Sequence, residues 1–262
     1  MLTTGNAQLA RPFPQFNNVT WINPSIGNST YHAGFLRAEK RMSGGLSLLA
    51  HLTFSKFIDD VEAANEFGAT GSYMDAYNRR LDKGLSGSDV PRRLVVTLLY
   101  ELPSYKGSRI LNAVAGGWKL GVLQTAESGP TFTVISTANT TNAFPAGSPR
   151  PNLLADAALP GDQRNVRRWF DTSAFANPAA LTFGNSPRGG FRAAPVISTD
   201  ATFEKSFALT ERWRADVRGE FYNLLNHAIF NIPGFTLGAA DFGAVSSARS
   251  PRTAQLSLRL SF

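Results

Sequence analysis

Residues 252–262 constrain the fold of this chain more than any other stretch, because from Thr253 onward their side chains alternate strictly between polar and apolar. Successive side chains of a β-strand point to opposite faces. The apolar set is Ala254, Leu256, Leu258, Leu260 and Phe262, and the polar set is Thr253, Gln255, Ser257, Arg259 and Ser261. This pattern is typical of a membrane-spanning β-strand, with apolar side chains toward lipid and polar ones toward the lumen.

Residues 213–222 repeat the alternation. The apolar parity holds Trp213, Ala215, Val217, Gly219 and Phe221, and the polar parity holds Arg214, Asp216, Arg218, Glu220 and Tyr222. The charges of mixed sign indicate a wet interior in which neighbouring strands exchange ion pairs. A half-exposed strand of a soluble antiparallel sheet would look the same, so this strand alone leaves both interpretations open.

Composition excludes several other classes of protein. The 262 residues include no Cys, which excludes disulfides, thiolate catalysis and Cys-ligated metals. No apolar run reaches the length of about 18 residues that a transmembrane helix needs. The net charge of +7 would suit a nucleic-acid binder. The basic residues are scattered through strands and loops, however, so we expect no nucleic-acid partner.

The first residues lack the basic and apolar segments of a signal peptide, which an outer-membrane protein needs for export. If the barrel interpretation holds, we therefore expect this chain to be the carboxyl-terminal part of a longer protein.

Alternation also predicts five earlier strands, over residues 31–42, 46–56, 92–101, 118–127 and 197–207, and it is weaker over 92–101. The turn Ser43-Gly44-Gly45 joins the first two as a hairpin. Lys40 interrupts an apolar face near its end, where a long side chain can reach an interface. The strand 118–127 is predicted to continue through Phe132, Val134 and Ser136.

The lengths of the predicted connections alternate along the chain. Short connections follow residues 42 and 207, a moderate one follows residue 101, and long ones follow residues 56, 136 and 223. Outer-membrane barrels have short periplasmic turns and longer extracellular loops, so this order favours a barrel over a sandwich. With the last strand ending in the periplasm, residues 1–30 form the remnant of an extracellular loop, and 31–262 form strands and loops.

A series of short motifs resembles the late barrel strands of Oar-like TonB-dependent receptors, in the same order over nearly the whole chain. They are 11–16 (RPFPQF), 39–42 (EKRM), 53–60 (TFSKFIDD), 91–95 (PRRLV), 116–120 (GGWKL), 128–132 (SGPTF), 150–152 (RPN), 169–175 (WFDTSAF), 183–185 (FGN), 220–227 (EFYNLLNH) and the end of the chain. Each motif is weak alone, and their order is the specific feature.

The resemblance implies a 22-stranded outer-membrane barrel, plugged by an amino-terminal domain, that takes up large substrates with energy from TonB. Barrels of that size hold a plugged lumen. This sequence lacks a plug, a TonB-contacting segment and a carboxypeptidase-regulatory-like domain. Only the carboxyl-terminal barrel segment is therefore carried over, and transport by this chain alone is not expected.

From the strand patterns and the resemblance we predict three sets of site residues. Phe262, Leu260 and Leu258 resemble the signal that the outer-membrane assembly machinery reads in this family. The lipid-facing set is Trp213, Ala215, Val217, Phe221, Ala254 and Leu256. The lumen-facing set is Arg214, Asp216, Arg218, Glu220 and Arg259.

Nothing in the sequence indicates catalysis, a cofactor or a metal. Asp59, Asp60 and Glu62 carry oxygen ligands for a divalent cation, but a polar loop is the simpler interpretation. The aromatic residues 169, 170 and 175 lie beside basic residues 164, 167 and 168; they either touch ligand or lipopolysaccharide phosphate or, more simply, fold a long loop onto itself.

We predict an all-β antiparallel up-and-down meander of about seven strands, forming part of a larger outer-membrane barrel in a Gram-negative cell. Its partners would be outer-membrane lipid, lipopolysaccharide and the assembly machinery, with TonB reached only through missing amino-terminal parts. Two alternatives stay open: a secreted β-sandwich binding or adhesion module, and a polysaccharide-acting enzyme with a pair of acids drawn from Asp156, Asp162 and Asp171.

Overall fold

The structure, a computed structural model, describes residues 9, 12–16, 26–60, 74–75, 78–104, 107–108, 112, 114–138, 140–141 and 149–262. The predicted loop remnant 1–30 and residue Glu62 therefore lie largely outside the described part of the chain. Seven long strands form one sheet: β1 (Ser29–Ser43), β2 (Leu46–Asp59), β3 (Arg92–Glu101), β4 (Lys119–Glu127), β5 (Val196–Ala208), β6 (Arg214–Tyr222) and β7 (Thr253–Ser261).

The seven strands pair antiparallel in sequence order, so the predicted all-β up-and-down meander is confirmed. Residues 44–45, 102–118 and 209–213 connect strands at one end of the sheet, called here the turn end. Residues 60–91, 128–195 and 223–252 connect them at the other, called here the loop end. The predicted order of shorter and longer connections is therefore present.

The register carries each strand's alternation across the whole sheet. One continuous row of partners runs Leu36, Leu52, Leu94, Ala126 and Ile197 through β1 to β5. A second pairs Phe207 with Ala215 and Ala215 with Leu260 through β5, β6 and β7. Because side chains on opposed residues point to the same face, the sheet has one mainly apolar face and one mainly polar face.

The β1–β2 hairpin turns through two glycines in the left-handed region, as predicted. Gly44 has φ +60° and Gly45 has φ +76°, a conformation that side chains disfavour. A Cβ on Gly45 would also lie 2.5 Å from the carbonyl oxygen of Glu101. This position therefore needs glycine for both backbone conformation and packing.

The long connections contain short elements that the sequence did not predict. They are the 3₁₀ helices Arg79–Asp82 and Thr172–Ala174 and the short strands Gly84–Leu85, Thr131–Phe132, Ile135–Ser136, Asn152–Leu153, Phe175–Ala176, Phe191–Arg192 and Thr236–Leu237. Gly84–Leu85 pairs with the end of β2, and the others form three separate two-stranded sheets.

The predicted continuation of 118–127 through Phe132, Val134 and Ser136 is wrong. β4 ends at Glu127, and Thr131–Phe132 pairs instead with Phe191–Arg192. Pro130 has no N–H to donate to a ladder. At Gly129 the backbone of Ala193 approaches so closely that a Cβ would lie 2.1 Å from its carbonyl oxygen. The chain therefore leaves the sheet at this Gly-Pro pair.

These elements enclose an aromatic core at the loop end, separate from the sheet. Its buried members are Phe132, Val134, Ala157, Phe170, Ala174 and Phe175, with Leu153, Trp169, Phe191, Leu237 and Phe242 packed against them. The Phe170 ring packs edge-on against Phe175 and Phe242, with centroids 5.7 Å and 5.2 Å away. We call the two folded connections that supply this core, residues 128–195 and 223–252, the cap.

The outer edges of the sheet are open. In the part of the chain that the structure describes, β1 pairs only with β2, and β7 pairs only with β6. Both edge strands run from the loop end to the turn end. Among the described residues, no helix is long and apolar enough to cross a bilayer.

Candidate functional site

The apolar row of β7 carries no second layer of protein in the described part of the chain. Along β7, Leu256 is 79% exposed, Leu258 65% and Leu260 55%. Exposed apolar area of this extent marks an interaction surface for a protein or a membrane. A β-sandwich would bury this row under a second sheet, so the geometry does not favour the sandwich alternative.

Aromatic side chains border the apolar face at the turn end. Five aromatic residues lie on neighbouring strands, or directly beside a strand end, at positions that belong to the apolar face. They are Tyr100, Trp118, Phe207, Trp213 and Phe262. The rings of Trp213 and Phe262 are in contact, with centroids 5.0 Å apart. Transmembrane barrels carry such girdles of aromatic residues where the apolar band meets the interface.

Two lysines on the apolar face direct their ammonium groups toward backbone carbonyls near the turn end. Lys205 donates to the carbonyl oxygens of Asn112 and Gly116 at 2.9 Å and 2.5 Å. Lys40 donates to those of Ser43 and Leu46 at 2.8 Å and 3.0 Å. The Lys40 side chain, predicted to reach an interface, extends toward the turn end. The sequence analysis did not single out Lys205. The available signal was its place between Phe203 and Phe207 in the alternating pattern.

The opposite face carries the charged residues predicted to face a lumen. Arg214, Asp216, Arg218 and Glu220 of β6 lie beside Arg259 of β7 on this polar face. The expected ion pairing between neighbouring strands occurs at Arg93 of β3 and Glu127 of β4, with 3.3 Å between Nε and Oε2. Arg218 instead pairs along its own strand with Glu220, at 2.7 Å.

The cap covers the loop end of the polar face of the sheet. At the loop end, Asp59 of β2 and Val196 of β5 share the polar parity and are buried beneath the connections. Ile197, the next residue on the apolar parity, stays 37% exposed. At the loop end the connections therefore cover the polar face and leave the apolar face uncovered.

Arginine–aspartate pairs fasten the cap to the connection after β2. Arg188 Nη1 lies 2.5 Å from Asp59 Oδ1, and Arg150 Nη2 lies 3.6 Å from Asp82 Oδ1. Arg192 pairs with the buried Asp89. All three arginines come from residues 128–195, and each of these pairs is largely buried. The Arg188–Asp59 and Arg192–Asp89 pairs therefore fix the longest connection against the end of β2 and the connection after it.

A fourth pair lies within the connection itself. Arg79 Nη2 is 2.9 Å from Asp60 Oδ2, and Asn28 donates its backbone N–H and its side-chain amide to the same carboxylate. Burial raises the pKa of Asp60, but the Asn28 hydrogen bonds and the Arg79 charge outweigh it, and the pKa is lowered. Asp59 and Asp60, considered above as cation ligands, thus have Arg188 and Arg79 as partners.

Asp82 has the opposite electrostatic balance. Burial raises the pKa of this carboxyl above its ordinary value, although Arg150 and the backbone N–H of Met74 oppose the shift.

Within the described residues, no group of three or more His, Asp or Glu side chains is arranged to hold a metal ion.

The aromatic residues of the longest connection fold that connection onto itself. Phe170 and Phe175 are buried in the cap core, and Trp169 donates its indole N–H to the carbonyl oxygen of Arg192 at 3.0 Å. The Arg164 guanidinium lies 5.2 Å from the centroid of the Trp169 ring. The simpler of the two interpretations of this segment therefore accounts for its contacts.

Asp171, one of the acids of the enzyme alternative, is bound within its own turn. Its Oδ1 accepts hydrogen bonds from Ser173 Oγ at 2.8 Å and from Arg168 Nη2 at 3.0 Å. These groups lower the pKa of the carboxyl, the Ser173 hydroxyl most strongly. Asp171 thus begins the 3₁₀ helix Thr172–Ala174 as its capping residue.

The fold and its two faces define an outer-membrane β-barrel wall, and comparison with known proteins agrees. The family described as "Outer membrane beta barrel domain" matches residues 1–255. The chain belongs to this family of outer-membrane proteins and is placed in the outer membrane. No curated protein and no solved structure matches it.

Proposed function

We propose that this chain forms part of the wall of an Oar-like, TonB-dependent receptor barrel in the outer membrane of a Gram-negative cell. The observation that carries the proposal is the difference between the two faces of the sheet. One face is apolar, with an exposed leucine row on β7, and the other is charged and lies under a folded cap. In a receptor of this kind, a large substrate such as an oligosaccharide or peptide enters past the cap side.

The two faces have different surroundings in this proposal. The lipid-facing residues are Trp213, Ala215, Val217, Phe221, Ala254 and Leu256, and the lumen-facing residues are Arg214, Asp216, Arg218, Glu220 and Arg259. The turn end lies in the periplasm, where Phe262, Leu260 and Leu258 engage the assembly machinery. Lipid and lipopolysaccharide surround the wall, and the role is a non-catalytic one.

The open edges of the sheet support its incorporation into a larger barrel. Unpaired N–H and C=O groups on β1 and β7 are costly in hydrocarbon, and only closed barrels avoid them. A barrel of 22 strands, with a plug that reaches TonB, would supply the missing neighbours. This chain then contributes the carboxyl-terminal part of the wall and is not transport-competent alone.

Single-cysteine labelling tests the face assignment, because the chain has no native Cys. Leu258→Cys and Ser257→Cys are compared in outer membranes that carry the complete polypeptide. We expect a membrane-impermeant maleimide to label the Ser257→Cys variant, and a lipid-soluble maleimide to label the Leu258→Cys variant. Equal labelling of both by the impermeant reagent would contradict a lipid-facing Leu258.

Uptake tests the receptor assignment separately. Cells with and without the complete polypeptide are given a fluorescent oligosaccharide mixture and a fluorescent peptide mixture, each with and without a protonophore. Receptor-dependent uptake that the protonophore abolishes is the expected result. Uptake that persists without the proton gradient would indicate a passive pore instead.

A further inference from the structure

The polar face contains an apolar depression that a water-filled bore does not require. Its volume is about 250 Å³, and it lies over the middle of the sheet between β3 and β6. Leu99, Leu123 and Tyr222 line it and are between 39% and 50% exposed. All three share the polar parity of their strands, where the strand pattern predicts hydrophilic side chains.

The register shows how the depression is built. Leu99, Gly121, Thr202 and Glu220 are direct partners across β3, β4, β5 and β6. Neighbouring strands lie about 4.8 Å apart, so this row spans about 14 Å from the leucine to the carboxylate. Gly121 lies in the lining between the side chains of Leu99 and Thr202, and a Cβ there would lie 2.4 Å from Thr202 Oγ1.

The second row runs parallel to the first on the same face. Thr97 and Leu123 are partners, Leu123 and Asp200 are partners, and Tyr222 follows Phe221 at the position beside Asp200. The depression therefore has an apolar end at Leu99 and Leu123. Its other end holds two carboxylates and a phenol ring.

The carboxylates are held in place and carry net negative charge at that end. Asp200 Oδ1 accepts hydrogen bonds from the Asn223 backbone N–H at 2.8 Å and from Ser198 Oγ at 3.1 Å. Glu220 pairs with the single guanidinium of Arg218 at 2.7 Å. In the described part of the chain, Arg218 is the one cation that is paired with these carboxylates, so the site favours a second positive charge, and an aromatic ring adds cation–π attraction.

We propose that this depression is a binding site for a ligand with a cationic group on an apolar stem, such as an alkylammonium. The cation binds at Glu220, Asp200 and Tyr222, and the stem lies over Gly121 against Leu99 and Leu123. This proposal rests on the proposed function in one respect: the polar face must line an aqueous bore. It adds the chemical class of ligand that binds in that bore.

A cysteine reporter in the depression tests the proposal on outer membranes that carry the complete polypeptide. Thr97→Cys places a thiol at the margin, and its reaction with a water-soluble maleimide is timed with n-hexylammonium, n-hexanol or hexanoate. We expect only hexylammonium to slow the reaction, about fivefold or more at saturation. Ser257→Cys, on the same polar face outside the depression, should react at an unchanged rate with all three.

Side-chain variants identify the groups responsible. Adding Glu220→Gln should raise the half-protecting concentration of hexylammonium about tenfold, because a charge-assisted contact is lost. Glu204→Gln, on the same face but outside the lining, should leave it unchanged. If Glu220→Gln does not assemble, Leu99→Ser replaces it, and it should also weaken protection severalfold by removing the apolar wall.

Three outcomes would overturn the proposal. Equal protection by hexanol and hexylammonium would reduce the site to an apolar dent. No protection at millimolar hexylammonium would remove the site altogether. A Thr97→Cys thiol that is unreactive before any ligand is added would mean that protein already fills the depression. An unreactive Ser257→Cys thiol would instead contradict the aqueous bore of the proposed function.

Discussion

Arg188 and Asp59 join the longest connection to the end of β2, although they lie 129 positions apart in the sequence. Arg188 Nη1 also donates to the carbonyl oxygens of Asp59 and Asp82, at 3.0 Å and 3.1 Å. Both side chains of the pair are nearly buried. One guanidinium thus binds three acceptors, two at the end of β2 and one in the connection that follows it, and so attaches the cap to both.

Arg188→Met should loosen the cap while the sheet stays intact. Removing one partner of a buried ion pair leaves the other charge unpaired, at a cost of about 3–5 kcal/mol. Hydrogen exchange in residues 182–194 should rise strongly, with little change in β5 and β6. Arg168→Met is the matched control, because its pair with Asp171 is exposed and worth only about 0–1 kcal/mol. Equal effects of the two variants would contradict the anchoring role of Arg188.

Phe170→Ala should unfold the cap core without removing the sheet. Phe170 is buried among Phe132, Phe175 and Phe242. Truncating a buried Phe costs about 3–5 kcal/mol. Limited proteolysis should then cleave residues 149–195 while the membrane-protected fragments remain. Phe235→Ala, at a partly exposed position in the connection after β6, should leave the proteolysis pattern unchanged.

Acid should release the contacts of Asp60 before it affects the sheet. The pKa of Asp60 is lowered in the folded chain, so its carboxylate contributes stability above the ordinary value of 3.8. That contribution is lost as the pH falls through the lowered value. Hydrogen exchange of Asn28 and residues 78–82 should therefore rise in strong acid, and Asp60→Asn should remove this pH dependence.

Asp82 should respond to pH with the opposite sign. Because burial raises its pKa, its contribution to stability is complete below 3.8 and is lost as the pH rises through the raised value. Asp82→Asn should therefore flatten the part of the exchange profile of residues 78–82 that lies above pH 3.8, whereas Asp60→Asn flattens the part below it. Identical profiles for the two variants would contradict the opposed shifts.

Charge on the apolar face should impair membrane assembly much more than charge on the polar face. If Leu258 faces the middle of the bilayer, Leu258→Arg should cost about 2–4 kcal/mol, and Ser257→Arg far less. The equilibrium between folded and denaturant-unfolded protein in lipid vesicles measures the difference. Similar losses for both variants would count against the assigned faces.

Phe262→Ala should lower the amount of assembled protein more than its stability. The Phe262 ring is 92% exposed and touches Trp213, so its loss should cost at most about 1.5 kcal/mol of aromatic contact. A role in recognition by the assembly machinery would instead give a severalfold drop in outer-membrane protein. Leu209→Ala, at an exposed turn position, is the control and should assemble normally.

The sheet could be predicted from the sequence because its information is local. A period of two along 253–261 or 214–222 needs no partner to be recognised, and Gly44-Gly45 marks its own turn. Apart from the wrongly predicted continuation of β4 through Ser136, the predicted ends were wrong by at most three residues, as at β2, which extends to Asp59. The cap could not be predicted, because its pairs join distant segments, such as Thr131–Phe132 with Phe191–Arg192.

The alternation along a single strand did not predict the role of residues whose contacts lie on neighbouring strands or connections. Leu99 and Leu123 weaken the alternation of their own strands, and only the register brings them together over Gly121. Lys205 interrupts an apolar row, and only the folded connection 102–118 supplies carbonyl oxygens for its ammonium. These features require three-dimensional contacts that no single strand encodes.

The common direction of β1 and β7 limits what can complete the ring. A second copy of this chain, inserted with its cap on the same side of the membrane, would meet the first in parallel at every seam. Self-association therefore cannot give a fully antiparallel cylinder. A segment with an odd number of strands is needed. If its first strand lies beside β7 and its last beside β1, it pairs antiparallel with both edge strands.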